Sequence, residues 1–107
     1  MRRRVSIVAL ATLAWLTASE AALAQSVEAK KGYSLAKQWC TSCHIVAPGQ
    51  DGSDAAPPFE TIANRAEMSS DGLRAWLANP HPPMPNFNLS RTEIDWIIAY
   101  LASLRRP

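Results

Sequence analysis

The chain has 107 residues, of which 48% are hydrophobic, with 11 basic and 9 acidic residues. This length allows at most one small domain. The basic excess comes from the N-terminus: the first 24 residues hold 3 of the 11 basic and 1 of the 9 acidic residues, which leaves 8 of each in residues 25–107. Since that remainder has a formal charge of zero, the main support for nucleic-acid binding disappears, and we expect no nucleic-acid partner.

The N-terminus has the three parts of a secretory signal peptide. Arginines follow Met1, a nearly continuous apolar run spans Val5 to Leu16, and Ala22-Leu23-Ala24 supplies a small-x-small ending. We therefore expect a cleaved signal peptide at residues 1–24, a mature domain at residues 25–107, bacterial export to the periplasm and no membrane span after cleavage. The alternative is an uncleaved anchor, since residues 5–24 are long enough to cross a bilayer, but Glu20 interrupts them.

The remainder predicts an all-α fold, with helices separated by loops rich in proline and glycine. Apolar residues recur at helical spacing in Ser26–Trp39, and Phe59–Ala66 is a candidate short helix. Ser69 or Ser70 is placed to cap the next helix, which we expect to stop near Asn79 because a proline follows.

The last helix carries the clearest pattern. Ser90-x-x-Glu93 is a capping box, and Arg105 and Arg106 are expected to close the helix with positive charge at the negative end of its dipole. Its apolar stripe is Ile94, Ile97, Ile98, Leu101 and Leu104. Candidates for the core and for a cofactor pocket are Leu35, Trp39, Phe59, Leu73, Trp76, Leu77, Ile97, Ile98 and Leu101.

Cys40-Thr41-Ser42-Cys43-His44 has the C-x-x-C-H spacing of c-type haem attachment. Two thiols one helical turn apart can each add to one vinyl group of a haem, and His44 then lies beneath the iron as its proximal ligand. Export agrees with this interpretation, because haem is attached outside the cytoplasm. One covalent haem c is the expected cofactor.

Three other interpretations of these residues compete with haem. A redox C-x-x-C belongs in a thioredoxin-like βαβ context, and no strand is predicted. Zinc requires four ligands, for which only Cys40, Cys43, His44 and His81 are present, and the adjacent Cys43 and His44 cannot easily share one tetrahedral site. A simple disulfide leaves His44 and the small core unexplained.

The favoured second iron ligand is Met84. It lies in a loop where prolines at positions 80, 82, 83 and 85 limit the freedom of the unfolded chain, so that holding a weak thioether on the iron costs less entropy. A lone methionine is otherwise core filler, but that role is more usual on a helix face. Met68 has no such loop around it. His81 is the rival, a stronger ligand at the edge of the same segment.

With these motifs in place, the chain resembles the small class I bacterial cytochromes c. Gly32-x-x-Leu35-Ala36 before the C-x-x-C-H motif is similar to that family's N-terminal helix, and Met84-Pro85 with the following helix is similar to its distal ligand loop and C-terminal helix. The resemblance spans residues 27–104 and implies about four short helices wrapped around one haem. It also implies thioethers at Cys40 and Cys43, with His44 and Met84 as axial ligands.

Further contacts follow from the resemblance. It implies that Gly32 meets the C-terminal helix near Tyr100, and that a proline carbonyl, of Pro57 or Pro58, accepts a hydrogen bond from the proximal histidine. Trp76 would bind a haem propionate or belong to the core.

The chain departs from the family at two features. Ala36 replaces the aromatic residue often found one turn before the first cysteine, and the three lysines Lys30, Lys31 and Lys37 lie on one helix instead of ringing the haem edge. Docking steered by charge onto an acidic partner is therefore not expected.

The expected function is one-electron transfer in the periplasm, between a donor dehydrogenase or reductase and an acceptor oxidase or reductase. This function needs no acid, base or nucleophile, so no enzyme activity is predicted. Two alternatives stay open. The first is a cytochrome subunit fixed to a periplasmic dehydrogenase. The second is a haem enzyme or ligand-binding protein with an open iron position.

Overall fold

The structure is a computed structural model that describes residues 26–50 and 52–107. The predicted signal peptide, residues 1–24, lies outside the described residues. Four helices are present in the described part: α1 at residues 26–39, α2 at Phe59–Ala63, α3 at Ser70–Ala78 and α4 at Arg91–Ser103. No strand occurs in these residues, so the predicted all-α class is confirmed. None of the described helices is long and apolar enough to cross a membrane.

The starts of α3 and α4 are fixed by serine caps. The Gly72 N–H donates to the Ser69 hydroxyl at 3.0 Å, which selects Ser69 over Ser70 as the cap of α3. At α4 the predicted capping box is complete, because the Glu93 N–H donates to Ser90 Oγ at 3.2 Å and the Ser90 N–H donates to Glu93 Oε2 at 2.8 Å. These bonds satisfy backbone donors that have no partner within the helix.

The core is built around α4, which packs against α2 and α3. Four of the five residues predicted for the apolar stripe of the last helix belong to this core, and the fifth, Leu104, is partly buried against it. The buried apolar residues are Ala36, Val46, Phe59, Ala63, Leu73, Ile94, Ile97, Ile98, Tyr100 and Leu101.

Gly32 brings α1 close to α4. A Cβ placed on Gly32 would overlap the Trp96 carbonyl and lie 2.8 Å from the Tyr100 Cβ, closer than side chains tolerate. The implied contact between Gly32 and the C-terminal helix near Tyr100 is therefore confirmed. Only a residue without a side chain permits this approach of the two backbones.

The helix predicted at Phe59–Ala66 is shorter, because α2 ends at Ala63. The Asn64 side chain explains the early end. Its amide donates to the Glu60 carbonyl at 2.7 Å and to the Leu104 carbonyl at 3.1 Å, which ties the end of α2 to the end of α4.

The expected role of the two C-terminal arginines at the dipole of α4 is wrong. The helix ends at Ser103 with no basic residue in its last turn. Instead, the Arg105 guanidinium donates to the Met68 carbonyl at 3.0 Å, and the Arg106 guanidinium pairs with Glu60. Both side chains therefore hold the C-terminus against the segment around α2.

The two tryptophans proposed for the core or the cofactor pocket, Trp39 and Trp76, are not part of the protein core. Trp39 is 44% exposed and Trp76 is 41% exposed. Their large apolar rings therefore remain available to a group other than the packed helices, and their place in a cofactor pocket stays a prediction.

Candidate functional site

The C-x-x-C-H segment forms a tight turn at the end of α1. The Cys40 N–H continues the helical pattern by donating to the Ala36 carbonyl at 2.9 Å, and the Cys40 carbonyl then accepts from the N–H of Cys43 at 3.2 Å and of His44 at 2.9 Å. The helix thus ends within the motif, and one carbonyl sets the positions of the second cysteine and the histidine. Such a turn keeps the two cysteines about one helical turn apart.

Cys40 is half-buried and Cys43 is exposed, and the structure shows no disulfide between them. Burial raises the pKa of the Cys40 thiol to about 11. Reactive redox cysteines instead have a lowered pKa that favours the thiolate. The surroundings of Cys40 therefore differ from those of a thioredoxin-like redox pair.

His44 is the one buried polar or charged residue of the described chain, and it is held by a hydrogen bond to a proline carbonyl. Its Nδ1 lies 2.6 Å from the Pro57 oxygen. A carbonyl oxygen only accepts hydrogen bonds, so Nδ1 must carry the proton and donate. In the neutral ring, the other nitrogen, Nε2, then has a free lone pair, which is the form of histidine that binds a metal. Of the two prolines considered, the structure selects Pro57.

A second set of contacts fixes the chain beneath the histidine. The Ala56 N–H donates to the Cys43 carbonyl at 2.8 Å, and the Phe59 N–H donates to the Ile45 carbonyl at 3.0 Å. The Phe59 ring meets the His44 ring edge-on, with centroids 5.3 Å apart. The protein itself therefore restrains the imidazole, through the hydrogen bond to Pro57 and through packing against Phe59.

Met84 lies in a short turn after α3. Its N–H donates to the His81 carbonyl at 3.0 Å, and its sulfur accepts a hydrogen bond from the Trp76 indole at 3.4 Å. Met84 is half-buried, whereas His81 is exposed. The His81 ring instead packs against the Trp76 ring, with centroids 4.8 Å apart.

The remaining methionine considered as a ligand differs from Met84. Met68 packs, partly buried, against the hydrophobic core, and its carbonyl accepts from Arg105. Its surroundings are those of core filler, although the sequence around it is polar.

The residues around these turns fit a large, flat, apolar group that binds through sulfur and nitrogen. Trp39 directly precedes the first cysteine, and Trp76 contacts the Met84 sulfur, yet both rings are substantially exposed. Phe87 adds a third ring, 5.6 Å from that of Trp39. The donor set of thiols, one imidazole nitrogen and one thioether is that of a c-type haem. No group of three or more His, Cys, Asp or Glu side chains suited to a bare metal ion occurs among the described residues.

The contact between Trp76 and the Met84 sulfur was missed by sequence reasoning. The sequence suggested a propionate partner or a core position for Trp76. Seven residues, three of them prolines, lie between Trp76 and Met84 in the sequence. No helical or strand periodicity extends across such a loop, so no local signal was available.

The comparisons with known proteins agree with this site. A family model described as "Cytochrome C oxidase, cbb3-type, subunit III" matches residues 27–101. The chain is also 48% identical over 89 residues to a protein named "Cytochrome c-552" from Bradyrhizobium diazoefficiens, an alignment that covers 82% of this chain and 86% of the relative. No solved structure matches. The chain therefore belongs to the cytochrome c family, as a small monohaem electron-transport protein with covalently bound haem c.

Proposed function

We propose that the protein transfers single electrons in the periplasm through haem c, held by thioethers to Cys40 and Cys43 and by His44 and Met84 as axial iron ligands. When bound, the haem supplies an iron that alternates between the ferrous and ferric states. The chain's own residues orient the group, exclude water and tune its electronics. Electron transfer requires no general acid, base or nucleophile, and we propose no enzymatic activity.

The hydrogen bond from His44 Nδ1 to the Pro57 carbonyl carries the proposal. It fixes the tautomer in which Nε2 has a free lone pair, and it holds a buried ring in one orientation. A hydrogen bond of this kind also raises the basicity of the ligating nitrogen. A disulfide between Cys40 and Cys43 would not explain why His44 is buried and held in one orientation.

The turn from His81 to Met84 supports Met84 as the second ligand. Met84 is half-buried and its sulfur has an indole partner, whereas His81 is an exposed residue whose ring packs on Trp76. Ligation by His and Met raises the reduction potential relative to a more electron-rich ligand pair.

Redox proteins are the proposed partners, with a dehydrogenase or reductase as donor and an oxidase or reductase as acceptor. The description of the matching family names an oxidase subunit, which supports an oxidase as acceptor. The predicted signal peptide at residues 1–24 supports a periplasmic location.

The lysines that could guide docking are confined to one helix. Lys30, Lys31 and Lys37 all lie on α1; Lys31 also contacts the Trp96 ring, and Lys37 the Tyr33 ring. We therefore propose docking that depends little on ionic strength.

The absorption spectrum of the ferric holoprotein tests the ligand set. We expect the weak red sulfur-to-iron charge-transfer band in the wild type and in a Met68→Ala control. Met84→Ala should lose the band and lower the potential while keeping the haem attached. A low-spin spectrum without the band, which changes on His81→Ala, would assign the second ligand to His81 instead.

Two further observations test the carrier role. Carbon monoxide binding to the ferrous wild type at neutral pH would indicate an open iron position and would favour a ligand-binding or enzymatic role. Co-purification with a larger dehydrogenase that persists at high salt would favour a fixed subunit. We expect neither result.

A further inference from the structure

We propose that the ion pair of Arg106 with Glu60 is a positioning contact for the proximal iron ligand. By holding α2 in place, the pair keeps the Pro57 carbonyl on the His44 ring. This inference rests on the proposed function, in which His44 binds the iron. A continuous series of contacts runs from the Arg106 side chain, through α2, to the Nδ1 atom of His44.

The chain that contacts His44 is the beginning of α2. The Pro57 carbonyl oxygen lies 2.6 Å from His44 Nδ1, and α2 begins two residues later at Phe59. The Phe59 ring meets the His44 ring, and the Phe59 N–H donates to the Ile45 carbonyl at 3.0 Å. A movement of α2 therefore also moves the acceptor of the His44 proton.

The position of α2 depends on contacts with the rest of the fold. The helix has five residues, of which only Phe59 and Ala63 are buried. Pro58 precedes its first residue and has no side-chain acceptor to cap it. A helix this short is not stable by itself in water, so neighbouring segments must hold it.

The C-terminal segment supplies such contacts on the exposed side of α2. The Arg106 guanidinium pairs with the Glu60 carboxylate. Asn64 fixes the backbone on both sides of this pair: its side chain donates to the Glu60 carbonyl at 2.7 Å and to the Leu104 carbonyl at 3.1 Å, and it accepts from the Arg106 N–H at 2.8 Å. The Arg106 side chain therefore acts on α2 from a fixed point.

The expected effect is local, because the ion pair is partly exposed. The side chains of Arg106 and Glu60 are 73% and 34% exposed. Pairs at the surface contribute little to global stability. They do oppose local opening, in which one short element leaves its neighbours while the rest of the fold stays intact. For α2, such an opening releases the His44 Nδ1–H to solvent.

The direction of the effect on the reduction potential follows from the hydrogen bond at Nδ1. Donation to the Pro57 carbonyl makes the other ring nitrogen of His44 more basic. Ferric iron gains more than ferrous iron from a more strongly donating ligand. A less firmly held Pro57 carbonyl therefore favours the ferrous state and shifts the potential to a more positive value.

Hydrogen exchange in the reduced holoprotein, followed by NMR, tests the proposal directly. In Arg106→Gln, exchange of the His44 Nδ1–H should be about two- to fivefold faster than in the wild type. Arg105→Gln is the matched control: it removes the same charge from the adjacent position, but the Arg105 guanidinium binds the Met68 carbonyl, outside α2. This control should leave the exchange of the His44 proton at the wild-type rate.

The sign of the potential shift separates positioning from a simple effect of charge. Loss of a positive charge stabilises ferric iron, so charge alone makes Arg106→Gln lower the potential and Glu60→Gln raise it. Loss of positioning instead raises the potential in both variants. The double variant should then show no larger shift than either single variant, whereas two effects of charge would cancel in it.

Two further readouts use proteins in which the fold is little changed. Arg106→Lys keeps a cation that can reach Glu60 and should restore most of the wild-type protection of the His44 proton. High salt screens an exposed ion pair. It should therefore speed exchange of this proton in the wild type but have little effect in Arg106→Gln.

The outcomes distinguish failure of this inference from failure of the ligand assignment. If the His44 ring protons lack the upfield shift that a haem ring current gives to an axial ligand, His44 is not the ligand, and the proposed function and this inference fail together. If the shift is present but Arg106→Gln leaves the Nδ1–H exchange unchanged, only the role of the ion pair is overturned. Equally faster exchange of the α3 backbone amides would also overturn it, because the loss would then be global.

Discussion

The Tyr100 hydroxyl donates a hydrogen bond of 2.6 Å to the carbonyl oxygen of Val46, and both residues are buried. Val46 lies two positions after His44, and Tyr100 lies on α4. The bond therefore joins the C-terminal helix to the segment that leaves the haem-binding motif. The Tyr100 ring also contacts Tyr33, with centroids 5.2 Å apart, so the same side chain meets α1.

Tyr100→Phe should lower the free energy of unfolding by about 1–3 kcal/mol, the usual cost of leaving a buried polar group without its partner. Denaturant unfolding of the oxidised holoprotein measures this change. Tyr33→Phe is the matched control, because the Tyr33 hydroxyl accepts a bond from Gln50 at the exposed surface. Equal losses of unfolding free energy in the two variants would show that the buried bond to Val46 stabilises the fold no more than the exposed bond of Tyr33.

Gly32→Ala should destabilise the protein although alanine favours helices. Alanine gains about 1 kcal/mol over glycine within a helix, but the added Cβ would overlap the Trp96 carbonyl, and overpacking alone costs about 1–3 kcal/mol. Because the clash is with backbone, which cannot easily shift, we expect a cost at the upper end of this range and a net loss of about 2 kcal/mol.

Gly72→Ala is the control for the glycine prediction. A Cβ at Gly72 would meet only the Ser69 hydroxyl, at 3.2 Å, and that side chain can shift. Its stability should change by less than about 1 kcal/mol. Thermal unfolding of both holoproteins provides the comparison, and a Gly32→Ala protein at least as stable as the wild type would exclude the close approach of α1 and α4.

The features predicted correctly from the sequence are those set by short stretches of chain. The capping box depends on Ser90 and Glu93, three residues apart, and the haem-attachment motif C-x-x-C-H occupies five consecutive residues. The apolar stripe of α4 likewise repeats within each turn. Helical geometry alone converts such spacings into neighbours in space, so no knowledge of the rest of the fold is required.

The features that the sequence left open depend on where distant segments meet. Pro57 and Pro58 are adjacent and chemically alike, and only the path of the chain through the Ala56–Cys43 bond places the Pro57 carbonyl on the His44 ring. The C-terminal arginines follow an apolar helix, which suggested a role at its dipole, but their guanidinium groups bind Glu60 and the Met68 carbonyl.

Asn64 connects the ends of two helices, and its replacement by alanine should weaken both. Its side chain donates to the Glu60 and Leu104 carbonyls and accepts from the Arg106 N–H at 2.8 Å. These groups are exposed and water can replace the side chain, so we expect a loss of about 1 kcal/mol in total.

The control for Asn64 is Asn79→Ala, since Asn79 likewise follows the last residue of a helix and its own bond there is made by the backbone N–H, to the Ala75 carbonyl. Hydrogen exchange at the backbone amides of α4 adds a local readout. Asn64→Ala should speed exchange in the last turn of α4, and Asn79→Ala should not. The same exchange pattern in both variants would mean that the Asn64 side chain does not hold the helix end.

Glu93 should make the stability of α4 depend on acid pH. Hydrogen bonds from the Ser90 backbone N–H, and then from the Ser90 side chain, hold the pKa of the Glu93 carboxyl below its ordinary value of 4.5. A carboxyl whose pKa is lower in the folded state stabilises the fold above its unfolded pKa, and this contribution is lost as the pH falls through the folded pKa.

Glutamine at position 93 still completes a capping box but does not titrate, so Glu93→Gln isolates the effect of the charge. The wild type should be more stable than Glu93→Gln near neutral pH, and the difference should shrink as the pH falls below about 4.5. Parallel urea titrations of the two ferric holoproteins measure the difference at each pH, and any acid-induced change at the iron affects both proteins and cancels. A difference that stays constant from neutral to acid pH would show that the carboxylate charge does not contribute to the cap.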